Sequence, residues 1–351
     1  MPESPVADLR SDTITQPTAE MRRAMAEAVV ADDGREGDPT ARKLESMAAA
    51  LTGHEAALFC TSGTMGNLVA FLTHLEPGDQ ILAERDSHFL HFEASGCTAL
   101  VGAIPLTLAG RAGRMDLAEV ESSINPGSRL QPRTAMIVAE NTHNLAGGTC
   151  LDVDYMQGLW DIASRHDLLV HLDGARVFNA AVALKVEAKE LTQGCQSVMI
   201  DLSKGLCAPY GSVLCGSEEF IVGARAMRQR VGGNVRQIGH MAAAGMVALE
   251  TMIDRLGDDH ANACRLAESI HEVRPGLIDL ELVQTNIVYL ETRPLGVSGA
   301  ALVSTLEEAG VRCLAPDPNR IRLVTHHDVD AGQIEHAIAV FRKVLKAFPG
   351  P

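Results

Sequence analysis

Apolar residues along this chain follow two rhythms. Short runs, partly β-branched and bounded by glycine, proline or polar clusters, read as buried strands; they cover residues 56–60, 80–83, 98–104, 134–139, 168–173 and 197–202. Helical spacing appears over residues 20–29, where Met21, Met25 and Val29 share a face behind Pro17. It recurs over residues 41–51, with Leu44, Met47, Ala48 and Leu51 pointing inward and Thr40 at the cap. Residues 68–75 and 154–165 predict further helices between strands. Strands alternating with helices indicate an α/β domain with a largely parallel sheet, and strands apolar almost throughout fit a sheet covered by helices on both faces.

Residues 237–256, rich in Ala and Met, predict a long buried helix. Beyond it the order changes to helix 261–272, strand 286–290, helix 299–309, strand 321–324 and helix 331–348, a smaller α+β unit. The expected organisation is an N-terminal arm over residues 1–18, a large domain over 19–260 and a small C-terminal domain over 261–351. With no internal repeat or low-complexity linker between them, the parts are expected to pack closely.

Composition narrows the function. At 351 residues and 46% hydrophobic content the chain can bury a sizeable core. A formal net charge of −15 excludes the basic stripe of a nucleic-acid surface and fits small-molecule partners. No apolar stretch is long enough to span a membrane, and the first ten residues lack the pattern of a signal peptide. The 8 cysteines form no CxxC pair or His/Cys cluster at metal spacing, so they read as reduced, mostly buried thiols of a cytoplasmic protein without a metal centre.

Candidate chemistry gathers where strands end, the position at which ligands bind in sheets of this kind. Lys204 stands between Ser203 and Gly205, in the turn joining two apolar runs at 198–202 and 212–216. A lysine forms Schiff bases when desolvation or a nearby cation activates it, although most lysines in turns are merely solvated. Ser62-Gly63-Thr64-Met65-Gly66-Asn67 follows a strand and opens a helix, so its free N–H groups could hold a phosphate; an ordinary strand–helix turn reads the same way. Asp173 ends a strand, where its carboxylate would want a cation. Arg176 is one partner, and the protonated ring nitrogen of an electron-sink cofactor is another. Glu140-Asn141-Thr142-His143-Asn144 is more polar than a turn requires. His88 could stack on a ring or act as a base, or be structural. Arg322 lies in an apolar strand and needs an anion, from a substrate carboxylate or from an ion pair.

The segments LRSDT, DPT, SGTMGN, ENTHN, HLDGAR, LSKGL–AP–GS, GG–RQ and IRLVTH occur in that order from residue 9 to 326. In these the chain resembles the low-specificity L-threonine aldolases of the aromatic amino acid beta-eliminating lyase group, with an aspartate-aminotransferase-like fold. The resemblance implies a pyridoxal 5'-phosphate enzyme that cleaves a β-hydroxy-α-amino acid of the threonine or allo-threonine type to glycine and an aldehyde. It assigns the Schiff base to Lys204, the ring nitrogen to Asp173, the phosphate to Gly63 and Thr64, and ring stacking with proton transfer to His88. Ser11, Arg176 and Arg322 would hold the substrate carboxylate, Arg176 lying beside the cofactor as well. Arg236 would reach a phosphate in the neighbouring subunit's site, since such proteins form homodimers or homotetramers with shared sites.

Departures from the family pattern cluster near the expected site. Arg35 replaces a tyrosine in the 32–40 loop, Leu130 a histidine that faces the substrate hydroxyl, and Asn234-Val235 a Gly-Met pair. Asp201 stands where a small or apolar residue is usual. An altered substrate preference is expected, with Arg35 either taking a distal carboxylate such as that of 3-hydroxyaspartate or simply contacting Asp32, Asp33 or Glu36. The rival readings are a β-eliminating lyase or racemase on the same scaffold, and an inactive relative serving as a binding protein.

Overall fold

A computed structural model describes residues 6–348; the first five residues of the expected arm and the last three of the chain lie outside it. Seven strands form the central sheet in the order Ala56–Cys60, Ser212–Gly216, Ser197–Asp201, Leu169–Gly174, Thr134–Glu140, Gln80–Glu84, Ile104–Leu108. Ser212–Gly216 runs antiparallel to both its neighbours, while the remaining pairs are parallel. The ends carrying Cys60, Glu84, Glu140, Gly174 and Asp201 therefore share one edge of the sheet. The start of the Ser212–Gly216 strand lies there too, because Ser212 is in register with both Cys60 and Asp201.

Local chemistry explains the helices that frame this edge. Ser62 accepts a hydrogen bond from the Met65 N–H and caps the Gly63–His74 helix. Asp38, with Pro39 in the first turn, caps the Pro39–Thr52 helix; Thr40, the expected cap, is already inside it. The Pro39–Thr52 and Gly239–Thr251 helices meet closely, since a Cβ on Gly239 would stand 2.2 Å from Asp38 Oδ1. On one sheet face these two helices join Val153–Arg165 and Val177–Leu184 around Phe59, Ile137, Leu172 and Ile200. On the other, Gly63–His74 covers Ile81, Met136 and Val138, with Met199 and Leu214 beside them.

A separate core holds Leu266, Leu290, Ile321, Leu323, Ile334 and Phe341 around a sheet of Ile287–Glu291, Arg320–Val324 and Leu314–Asp317. Ala7 and Leu9 belong to this core, and Ala7–Asp8 adds a short parallel pairing to Val311–Arg312. The described part of the N-terminal segment is thus tied to the C-terminal core.

The structure corrects several expected elements. Residues 98–104 are not a strand: Gly96–Ala99 is a helical turn, Gly102 reverses the chain at φ +77°, and the strand is Ile104–Leu108 at the sheet edge, where Pro105 is tolerated. The long helix stops at Thr251, and a second one begins at Leu256, where Arg255 pairs with buried Asp259 one turn on. The first helix is Ala19–Glu27, which leaves Val29 exposed beyond its end, and Leu51 is likewise exposed. All the cysteines are free thiols, buried apart from Cys264. No described helix is long and apolar enough to cross a membrane.

Gly174 continues the strand that carries Asp173, and a Cβ there would lie 2.9 Å from the Met199 carbonyl oxygen on the adjacent strand. Backbone cannot swing aside as a side chain can. Gly174→Ala is expected to cost about 1–3 kcal/mol, read as a lower urea midpoint with an unchanged m-value.

Candidate active site

Lys204 follows directly from the sheet edge. After Asp201 the chain folds into a tight turn, in which the Lys204 carbonyl accepts from Cys207 N at 2.9 Å and from the Thr15 hydroxyl at 2.9 Å. That side chain is only 14% exposed, and its Nζ lies 3.5 Å from Asp201 Oδ2. Asp201 in turn accepts, at Oδ1, from the Ser203 N–H at 2.7 Å and the Ser203 hydroxyl at 2.8 Å.

Asp173 is the buried acid of the site. Its Oδ1 accepts from Ala175 N at 3.1 Å and its Oδ2 from Asn67 Nδ2 at 2.9 Å. Both donors are neutral amides. The obvious rival for its charge is engaged elsewhere, because Arg176 grips Asp12 through Nε–Oδ2 and Nη2–Oδ1 contacts of 2.7 Å each. Of the two partners open to Asp173, Arg176 is therefore removed, since it pairs with Asp12. Burial raises the Asp12 carboxyl, but the adjacent guanidinium more than reverses this and holds it well below the usual carboxylate range. The donor set around Asp173 suits a cationic ring N–H, which would complete the charge of a carboxylate otherwise met only by amides.

Behind Asp173 runs a chain of hydrogen bonds whose direction is set by its end. A carboxylate only accepts, so Asn67 turns its amide toward Asp173 and its oxygen toward His171 Nε2, 3.0 Å away. His171 must then donate from Nε2 and accept at Nδ1 from the Ser197 hydroxyl, at 2.8 Å. His74 Nε2 closes the row at 3.0 Å from Ser197 Oγ. His171 must be neutral for this order to hold, while His74 has only to donate from Nε2 to the Ser197 oxygen. Burial agrees, lowering His171 to about 4 and, with His171 beside it, His74 to about 3.

Asn67 Nδ2 also reaches Glu93 Oε1 at 2.9 Å, and Glu93 Oε1 holds His88 Nδ1 at 2.9 Å. Burial opposes charge on both partners: it raises Glu93 and would lower His88. The Glu93 hydrogen bond and the nearby Asp173 charge reverse the effect on His88 and leave it above its ordinary value. The pair therefore keeps its proton over a wider pH range than either group alone. With Nδ1 committed to Glu93, Nε2 is the His88 atom left to meet a substrate.

The ENTHN run proves to be scaffolding for this arrangement. Glu140 accepts from the His88 backbone at 2.7 Å and from the Asn144 backbone at 2.8 Å. His143 Nε2 lies 3.1 Å from Glu84 Oε2, and Asn141 clasps Leu151 from both sides. Asn144 Oδ1 accepts from Arg176 Nη1 at 3.4 Å and Arg322 Nη1 at 3.3 Å. Arg322 is lowered by burial and by the charge of Arg176, and its buried Nε has no hydrogen-bond partner. A second anion, such as a substrate carboxylate, would complete it.

Of the residues expected at the site, Lys204, Asp173, His88, Arg176 and Arg322 are drawn into one connected region, through Asn67, Glu93, Asn144 and Asp12. Gly63 and Thr64 open the Gly63–His74 helix, and a Cβ on Gly63 would meet Asp201 Oδ2 at 2.9 Å. Ser11 caps its own turn, its Oγ 2.8 Å from Thr13 Oγ1, while its neighbour Asp12 makes the long-range contact. Arg35 and Arg236 meet elsewhere, at Asp32, at 3.6 and 3.3 Å. Their side chains are largely exposed, as is Leu130, and among the described residues none of the three contacts Lys204, Asp173 or His88. Sequence reasoning missed Asp12, Asn67, Glu93, Glu140 and His171 as partners. Four of these lay inside motifs already singled out, and Glu93 carried no local signal.

A family model described as beta-eliminating lyase matches residues 8–293. The probable low-specificity L-threonine aldolase 2 of Arabidopsis thaliana is 41% identical over 343 residues, covering 96% of this chain and 97% of the relative. The low specificity L-threonine aldolase of Escherichia coli (strain K12) is 39% identical over 339 residues, covering 96% and 99%. Among solved structures, the threonine aldolase of Leishmania major superposes with a TM-score of 0.82 at 16% identity, over 97% of this chain and 99% of that one. At that identity the likeness speaks for the fold.

His171 supplies a pH-dependent term in stability. Its folded value of about 4 lies below the ordinary 6.5, so its contribution is complete above pH 6.5 and is lost as pH falls toward 4. The loss is worth about 3 kcal/mol. Urea denaturation across that range should show this slope, and His171→Asn should reduce it, leaving the part that His74 supplies.

Proposed function

The chain belongs to the beta-eliminating lyase family, and from that premise we propose that it cleaves a β-hydroxy-α-amino acid of the threonine or allo-threonine type to glycine and an aldehyde, using pyridoxal 5'-phosphate. The observation that carries this reading is the presence, at one end of the sheet, of a largely enclosed lysine, Lys204, and a buried carboxylate, Asp173, whose hydrogen bonds come only from neutral donors. When bound, pyridoxal phosphate supplies the electron sink for the pair left on Cα as the Cα–Cβ bond breaks.

The protein's own groups do the rest. Lys204 would provide the amine that anchors the cofactor covalently, and Asp173 would pair with its ring nitrogen. The relay from Asn67 to His74 fixes the Asp173 carboxylate in place, so its direction costs no reorganisation during reaction. Gly63 and Thr64 offer the free N–H groups of a helix start to the phosphate. Arg322, with Arg176 and Asn144 beside it, takes the α-carboxylate and so holds Cα in a fixed orientation. His88 Nε2 receives the β-hydroxyl proton: the O–H pair becomes the second bond of the aldehyde carbonyl, and the Cα–Cβ pair stays on Cα, which takes up one proton in return for the one given to His88, to give glycine. Glu93 orients the imidazole and stabilises it when it carries that proton.

Oligomerisation follows from the same reading. Arg236, exposed on its loop, is the residue we assign to a neighbouring subunit's phosphate in a homodimer or homotetramer with shared sites. Ser11, beside Asp12, is assigned to the carboxylate end. The Arg35–Asp32 contact supports a loop-holding role for Arg35.

The test is a purified protein loaded with pyridoxal phosphate and offered a panel of β-hydroxy amino acids, with glycine release measured. Wild type is expected to release glycine and aldehyde, and borohydride to fix the cofactor on Lys204; Lys204→Ala should lose roughly a thousandfold or more of the activity. A 2-oxo acid of unchanged carbon count (2-oxobutyrate from threonine) and ammonia in place of glycine would sink the aldolase reading in favour of β-elimination. On the same panel, Arg35→Ala should change 3-hydroxyaspartate and threonine cleavage equally; a selective loss on the acidic substrate would assign Arg35 to the substrate.

A further inference from the structure

Asp201 is a charge that the proposed reaction does not use, in a place where a charge has consequences. It closes the Ser197–Asp201 strand and is 7% exposed. Its Oδ1 is spent on the Ser203 N–H and hydroxyl. Oδ2 points the other way, 3.5 Å from Lys204 Nζ and 2.9 Å from the place a Cβ on Gly63 would occupy. Gly63 is the first residue of the Gly63–His74 helix, so this oxygen rests against the helix start assigned above to the cofactor phosphate. The protein thus sets its own anion beside the niche that a phosphate would enter, and ties that anion to the amine the cofactor must claim.

We propose that Asp201 is an internal competitor for the phosphate niche. With the cofactor absent, it pairs with Lys204 and satisfies part of the positive field of the helix end. With the cofactor present, it repels the phosphate and weakens its hold. Half-loading then requires a higher surrounding cofactor concentration than the donor set alone would require. This inference rests on the pyridoxal-phosphate reading above.

A plain structural role is the competing account, since Oδ1 caps the turn at Ser203. The two separate cleanly. Asparagine keeps an acceptor oxygen for Ser203 and nearly the same shape, and removes only the charge; serine is a second, smaller replacement should asparagine disturb folding. Dissociation constants would be measured by absorbance titration of the cofactor-free protein with pyridoxal phosphate and, separately, with pyridoxal, which has no phosphate. Coulomb repulsion between a carboxylate and a phosphate a few ångström apart corresponds to at least about tenfold in affinity. Asp201→Asn is therefore expected to raise the preference for pyridoxal phosphate over pyridoxal at least about tenfold relative to wild type, any release of Lys204 being common to both ligands. Inorganic phosphate alone should likewise bind the cofactor-free variant more tightly than the cofactor-free wild type. An unchanged or smaller preference for pyridoxal phosphate over pyridoxal in both variants, with thermal melts showing them folded, would overturn the inference. Wild-type protein that takes up no pyridoxal phosphate and yields no borohydride-fixed group at Lys204 would overturn the underlying reading, and this inference with it.

Discussion

Burying a carboxylate without a full counter-charge is among the more expensive things a fold can do, and this structure does it at Asp173. The acid sits at the end of a central strand with two amide donors for company. Everything behind it follows from holding that charge still. Asn67 must present its amide to the carboxylate, His171 must then be a neutral donor, Ser197 must donate to it, and His74 must close the row. Four residues from three segments are committed to one protonation pattern. A reversal at any point would leave a buried donor facing a donor.

The positive side of the site is built across the seam between the two cores. Asp12 and Arg176 form a fully buried pair, and Arg322 comes from the C-terminal sheet to share Asn144 with Arg176. The N-terminal segment stitches these parts together: Ala7–Asp8 pairs with Val311–Arg312, Val324 N donates to the Leu9 carbonyl at 2.9 Å, and the Thr15 hydroxyl donates to the Lys204 carbonyl. A segment with little periodicity of its own thereby connects the carboxylate-binding end of the site to the reactive lysine. The pair itself is weak evidence of net stability, since desolvation offsets much of its attraction. Its contribution is to fix where Arg176 points, with Nη1 directed at Asn144.

His88 shows how the same carboxylates set chemical readiness. Its imidazole lies between the pull of burial and the charges of Glu93 and Asp173, and the charges win. Glu140 meanwhile fixes the backbone at His88 and at Asn144 with one carboxylate. One acid thus aligns the proton-handling residue and the residue between the arginines, which couples the two ends of the site mechanically.

The sequence by itself determined the alternating strands and helices, the lysine and aspartate at strand ends and the glycine-opened helix, because each is written in local periodicity or in a turn. It also placed Asp12, Asn67, Glu140 and His171 inside recognisable motifs without saying what they touch. Where local signals competed it misled: the run at residues 98–104 is apolar enough for a strand, yet Gly102 turns the chain within it. Tertiary structure alone decided that Arg176 belongs to Asp12 and not to Asp173, that Glu93 holds His88, and that Asp201 lies against Gly63. It also put Arg35 and Arg236 together at Asp32. The reason is physical: an ion pair or hydrogen bond depends on distance and burial, and Asp12 and Arg176 lie 164 residues apart in the chain. No local pattern encodes which of two arginine-hungry carboxylates a folded sheet will bring to 2.7 Å.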